Sequence, residues 1–75
     1  MNIDVYFVNA KSLISKAGKS FYLATFVFNG EPFKLIVDEK YYNYLLSCDS
    51  MSKVSLTLDV KVYNDKLNLY LNDLN

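Results

Sequence analysis

The chain has 75 residues, 52% of them hydrophobic and 21% charged, with eight lysines balanced by eight acids and no Arg, His or Trp. That length admits one domain, residues 1 to 75, and excludes a two-domain enzyme; an apolar half with only two Gly and one Pro excludes a disordered chain. At this size only about 60% of the unfolded chain's surface can be buried, so the core is small and a second subunit would add to it.

In chain order, the first β-like run covers residues 3 to 14, about a dozen residues where strands usually have five or six. A strand that long can bend and serve two parts of a sheet. Both of its parities are apolar at the start, Ile3, Val5 and Phe7 on one side and Tyr6 and Val8 on the other. Either a bulge switches the face near Val8 or one face packs on a second subunit. Lys16, Ala17 and Gly18 then suit a three-residue hairpin loop, with Gly18 in the left-handed conformation. The second run, residues 20 to 28, is thereby set so that Leu13 faces Phe21, Lys11 faces Leu23 and Asn9 faces Thr25. On the other parity Ser12 faces Tyr22, Ala10 faces Ala24 and Val8 faces Phe26.

Asn29-Gly30 is the signature of a two-residue primed turn, which sets the third run, residues 32 to 37, with Phe33 opposite Phe26, Leu35 opposite Ala24 and Val37 opposite Tyr22. Residues 38 to 50, DEKYYNYLLSCDS, read as the one helix. Asp38 is placed to cap it, Glu39 suits its first turn, and Tyr41, Tyr42, Leu45, Leu46 and Cys48 form one apolar side that packs on the sheet. The fourth and fifth runs, residues 53 to 62 and 66 to 72, are joined by a turn at Asn64-Asp65. It sets Val62 opposite Leu67, Val60 opposite Leu69 and Leu58 opposite Leu71, every pair apolar.

The order β-β-β-α-β-β with a long first strand points to an all-β fold, an OB-fold-like five-stranded Greek-key barrel with a helix between strands three and four. Closure removes the exposed edges a small sheet would present. The expected core contains Ala24, Phe26, Phe33, Leu35, Val60 and Leu69.

Chemistry is narrowly bounded. Cys48 is the only cysteine and there is no His, so an intrachain disulfide, a structural zinc and Cys/His catalysis are all excluded. Gly18 and Gly30 alone cannot make a phosphate-cradling loop. The expectation is a protein that is not an enzyme and takes no cofactor and no metal. The alternating N-terminus MNIDVYFVNAKSL, with Asp4, is unlike a signal peptide, and no run approaches 18 apolar residues, so no membrane association and a cytoplasmic location, in a bacterial or phage-infected host cell, are expected.

A neutral total hides an uneven distribution: residues 5 to 30 carry Lys11, Lys16 and Lys19 and no acid. The face opposite the expected core, on the first three strands, shows Asn9, Lys11, Leu13, Phe21, Leu23, Thr25, Val27, Lys34 and Ile36. Phe21 beside Lys19 and Lys11, with Leu13 opposite, combines a ring on which a base can stack with cations that follow phosphates. Lys16 at the loop tip, Thr25 and Lys34 extend this track. A second patch joins Tyr70 and Asn68 with Lys61, and Tyr63 with Lys66 across the last turn, although Asp59 opposite Tyr70 repels phosphate. The segment Ser15-Lys16-Ala17-Gly18-Lys19-Ser20-Phe21, a Gly-Lys-x-aromatic step opening the second strand, resembles the small single-stranded-DNA-binding proteins of phages, including the filamentous-phage group, and the wider OB-fold ssDNA binders. The resemblance implies sequence-tolerant binding of single strands as a homodimer, with Phe21 stacking and Lys19 on phosphate. The alternative is a small protein-interaction module of a phage or mobile element that uses the same apolar face.

Overall fold

The computed structural model describes residues 1–75 and orders its elements as β1 (Asn2–Ile14), β2 (Ser20–Phe28), β3 (Glu31–Val37), α1 (Glu39–Leu46), β4 (Lys53–Tyr63) and β5 (Lys66–Leu74). All strand pairs are antiparallel within one sheet, in the order β3-β2-β1-β4-β5. The fold is a small all-β barrel with the expected element order. Its two edge strands, β3 and β5, approach one another without being paired, so the last seam stays open. No helix is long and apolar enough to cross a membrane.

The central strand shows how one segment serves two hairpins. β1 pairs with β4 through Asn2 to Tyr6 and with β2 through Tyr6 to Ile14. Between these halves the β2 register passes from Phe7 opposite Phe26 to Asn9 opposite Thr25, leaving Val8 as the extra residue of a bulge. The bulge accounts for Val8 in the double apolar parity: Val5 and Phe7 point inward ahead of it and Ala10 packs on the core beyond it, while Tyr6, on the outward parity, is exposed. It also corrects one expected pair, since Phe7 rather than Val8 faces Phe26. The backbone of Phe7 pairs with the loop before β4 instead of a strand, its N–H donating to the Ser52 carbonyl at 2.8 Å and its carbonyl accepting from the Met51 N–H.

The turns take the conformations their residues favour. Gly18 has φ of 80°, and the Ser15 N–H donates to the Lys19 carbonyl at 2.8 Å to close the loop. Asn29 and Gly30 have φ of 52° and 78°, and Asn64 and Asp65 have 50° and 62°, the paired positive values of a type I′ turn. The remaining hairpin registers are those expected from the sequence. A second bulge, at Asn72, carries β5 beyond residue 72 and turns Leu74 into the core.

Eleven residues form that core, with Phe26 at its centre between Phe7, at 6.1 Å between ring centroids, and Phe33, at 5.7 Å. α1 plugs one mouth of the barrel with the fully buried Leu45, while Tyr42 stacks on Tyr22 with centroids 4.5 Å apart. The Tyr41 hydroxyl donates to the Asn72 carbonyl at 3.1 Å, tying the helix to the β5 bulge. The helix is shorter than expected. It ends at Leu46, which faces solvent, and Asp38 occupies the N-cap position without a side-chain bond, only its carbonyl accepting from Tyr41 and Tyr42.

Two expected core residues are not buried. Val60 and Leu69 are 47% and 38% exposed, and Phe33 is half-buried, because β2 runs from Tyr22 beneath the helix to Phe28 at the opposite mouth, which no helix covers. Their register is as expected, but the β4–β5 hairpin extends past the core.

Leu45→Ala should cost about 2–5 kcal/mol in urea unfolding, whereas the neighbouring Leu46→Ala should stay within about 0.5 kcal/mol, since only the first vacates packed volume. Asp65→Gly should stabilise the protein by about 0.5–1 kcal/mol in the same assay, by relieving a side chain held at positive φ.

Candidate functional site

The outward face of β1, β2 and β3 is ordered by the registers just described. Two rows cross all three strands: Lys11, Leu23 and Ile36 in one, and Asn9, Thr25 and Lys34 in the next. A third pair, Leu13 opposite Phe21, lies toward the β1–β2 turn. Phe21, Leu13, Leu23 and Thr25 are half-buried, so they form a shallow apolar floor, and Lys11, Lys34 and Ile36 stand exposed around it. Directly opposed residues on neighbouring strands lie about 5 Å apart at Cβ, close enough for Phe21 and Leu13 to act as one surface. Lys16 sits at the tip of the turn and Lys19 at its exit, both exposed.

Electrostatically this end of the molecule is uniform. The one ion pair in the structure joins Lys53 to Asp4 at 3.8 Å, so Lys11, Lys16, Lys19, Lys34, Lys61 and Lys66 are all without a carboxylate partner. None of the eight acids lies in residues 5 to 30, which include the whole β1–β2 hairpin tip. Cations in such a setting keep their charge available to a ligand.

The second patch is placed differently from the first. On the outward face of β4 and β5, Asp59 faces Tyr70, Lys61 faces Asn68 and Tyr63 faces Lys66. Lys61 Nζ lies 5.4 Å from the Tyr70 ring centroid, a cation–π contact over one face of the ring. Tyr63 and Lys66 flank the terminal turn and remain exposed there.

The open seam joins the two patches. Between β3 and β5 runs a groove of about 340 Å³ lined by Lys34, Leu35, Ile36, Asn68, Leu69 and Tyr70. Lys34, from the first patch, and Tyr70, from the second, thus border one depression. In the sequence the two patches stand apart, because no hairpin register links β3 to β5, and the only signal for their proximity is the strand order itself. Comparison with known protein families, curated proteins and solved structures finds no match to this chain.

Because Lys16 and Lys19 are exposed and unpaired, Lys16→Ala and Lys19→Ala should each change the unfolding free energy by less than about 0.5 kcal/mol, as checked by urea denaturation. Any loss of function in these variants then belongs to the surface and not to the fold.

Proposed function

We propose that the protein binds single-stranded nucleic acid, DNA in the first instance, with little regard for sequence. Phe21 is the stacking platform; Lys11, Lys16, Lys19 and Lys34 follow the phosphates, with Thr25 as a hydrogen-bonding neighbour. The strand continues along the β3–β5 groove toward Tyr70, with Lys61, Tyr63 and Lys66 as outlying contacts. The observation that carries this reading is the acid-free first hairpin, in which unpaired lysines surround a half-buried aromatic floor.

Physical chemistry supports each part. A base presents a π-face whatever its identity, so stacking on a ring tolerates any sequence, and ammonium groups at fixed spacing hold the backbone. Five-stranded barrels of this order bind oligonucleotides on the face of strands two and three and with the loops joining strands one and two and strands four and five. Here those positions hold Phe21, Thr25 and Lys34, then Lys16 and Lys19, then Tyr63 and Lys66.

The exposure of Ile36, at 66%, beside Leu23 favours a second reading in which this face takes a protein partner. Salt separates the two, because phosphate contacts release counterions and an apolar contact does not.

Titration with labelled polythymidine at two salt concentrations should show affinity falling steeply as salt rises. Phe21→Ala should cost about 1–3 kcal/mol of binding with an unchanged salt slope. Lys16→Ala and Lys19→Ala should each weaken binding modestly and reduce the slope by roughly 0.7 per lost contact. Tyr70→Ala should matter less, with one ring face already covered by Lys61 and Asp59 opposite. Salt-independent binding, or an intact affinity in Phe21→Ala, would overturn the proposal.

A further inference from the structure

Five strands joined antiparallel in the order β3-β2-β1-β4-β5 leave the two edges, β3 and β5, running in the same direction. Closing the seam directly would need a parallel pair, the less stable kind per residue, and the edges stay unpaired. In a two-residue hairpin the residues flanking the turn exchange both hydrogen bonds and every second residue repeats the pattern, so Glu31, Phe33, Leu35 and Val37 bond to β2, and Lys66, Asn68 and Tyr70 bond to β4. In keeping with that phase, Leu58 donates its N–H to the Met1 carbonyl at 2.7 Å and accepts from the Met1 ammonium at 3.0 Å, on the side away from β5. Lys34 and Ile36 on β3, and Leu67 and Leu69 on β5, thus turn both their N–H and C=O groups toward the seam, and none of the four takes part in a turn, loop or cap bond. Pro32, without an N–H, blunts the start of the β3 edge.

We propose that the seam is a docking site for an extended peptide, inserted as a sixth strand antiparallel to both β3 and β5, with apolar and acidic residues alternating along it. An even number of strands closes the barrel with antiparallel ladders throughout, and the inserted strand takes up the free backbone groups of Lys34, Ile36, Leu67 and Leu69 together. The groove selects the partner's side chains by parity, with Lys34, Ile36, Asn68 and Tyr70 on its outer side and Leu35 and Leu69 beneath. Inward side chains of the peptide rest on Leu35 and Leu69, and Leu69 also lines a wholly apolar pocket of about 310 Å³ with Met1, Ile3, Phe28, Phe33 and Leu58, so these side chains are apolar. Outward side chains stand beside Lys34, which has no carboxylate partner, and no acid lines the groove, so these are acidic. Lys61 reaches over Tyr70 from β4 and offsets Asp59 opposite that ring.

Two strand spacings set β3 and β5 about 10 Å apart in the complex, so one wall moves on insertion. That wall is β5. Beyond Leu58 and Leu71 the β4–β5 hairpin continues past the core as a two-stranded ribbon, with Val60, Val62, Leu67 and Leu69 all exposed, whereas β3 is anchored by the buried Leu35 and Val37. The peptide leaves Phe21 and the first hairpin free and meets the proposed nucleic-acid path only along the groove, so the inference stands apart from that reading.

Fluorescence anisotropy with a short labelled peptide of alternating Val and Glu should show saturable binding to the whole chain. The same peptide N-methylated at alternate residues keeps its side chains but loses ladder donors, and should bind at least about tenfold more weakly, as should a peptide of alternating Val and Lys. Lys34→Glu and Ile36→Pro, at exposed edge positions where circular dichroism should be unchanged, should each raise the peptide's dissociation constant at least about tenfold, while Lys16→Ala should leave it unaltered. No binding of the Val–Glu peptide, or equal binding of its N-methylated form, would overturn the inference. So would Lys34→Glu and Ile36→Pro variants that lose polythymidine affinity yet hold the peptide as tightly as the unaltered chain, an outcome that assigns the groove to nucleic acid.

Discussion

The bulge at Val8 is the constraint on which the rest of the molecule depends. β1 must pair with β4 over its first half and β2 over its second, while presenting apolar side chains to one interior throughout. A regular strand of thirteen residues could not satisfy both neighbours, because its alternation would run Ile3, Val5, Phe7 and Asn9 along a single side. One extra residue resets the parity, so that Val5 and Phe7 fill the core from one half and Ala10 from the other. The backbone of Phe7 is satisfied by the loop before β4, which locks α1 and its following turn against the same point. Helix placement, core composition and the curl of the sheet all follow from that local irregularity.

A barrel of this size has two mouths and material to plug only one. α1 has eight residues and buries Leu45 as its single fully enclosed side chain, with Tyr42 stacked on Tyr22 at its margin. The opposite mouth is left to Phe28, Phe33 and Leu69, all partly open to solvent. The seam stays open as well: β3 and β5 run beside one another unpaired, and a groove remains between Lys34, Leu35 and Ile36 on one side and Asn68, Leu69 and Tyr70 on the other. Apolar residues that a larger fold would enclose are thus presented on the β4–β5 ribbon, where they are available to another molecule.

Charge is sorted along the chain more strictly than its neutral sum implies. Lysines without partners populate the first hairpin and the outer side of the ribbon. Asp38, Glu39, Asp49 and Asp73 lie on or beside the helix, Asp73 within 3.5 Å of the Tyr41 hydroxyl. The aromatic floor around Phe21 lies in the acid-free stretch, residues 5 to 30. The proposed function needs only that local field, because electrostatic contact with a phosphate backbone decays within about 10 Å at moderate salt.

What could be read directly from the residues was whatever is decided locally. Glycine or asparagine at the turns dictated positive φ and so the hairpin registers; apolar alternation dictated five strands and one helix; and the absence of acid in residues 5 to 30 marked the basic hairpin with Lys11, Lys16, Lys19 and Phe21. The double parity of β1 even announced the bulge, though not that Phe7 would be the residue facing Phe26. What the residues could not disclose depended on where the barrel ends. Val60 and Leu69 pair as their pattern requires, yet burial needs a covering element, and no sequence pattern states that the folded chain leaves them 47% and 38% exposed. The meeting of Lys34 with Tyr70 across the seam was equally hidden, because it arises from the curvature of the whole sheet and not from any turn. Local conformation is set by a residue and its neighbours, whereas exposure is set by the supply of chain available to cover it, and only the folded molecule settles that supply.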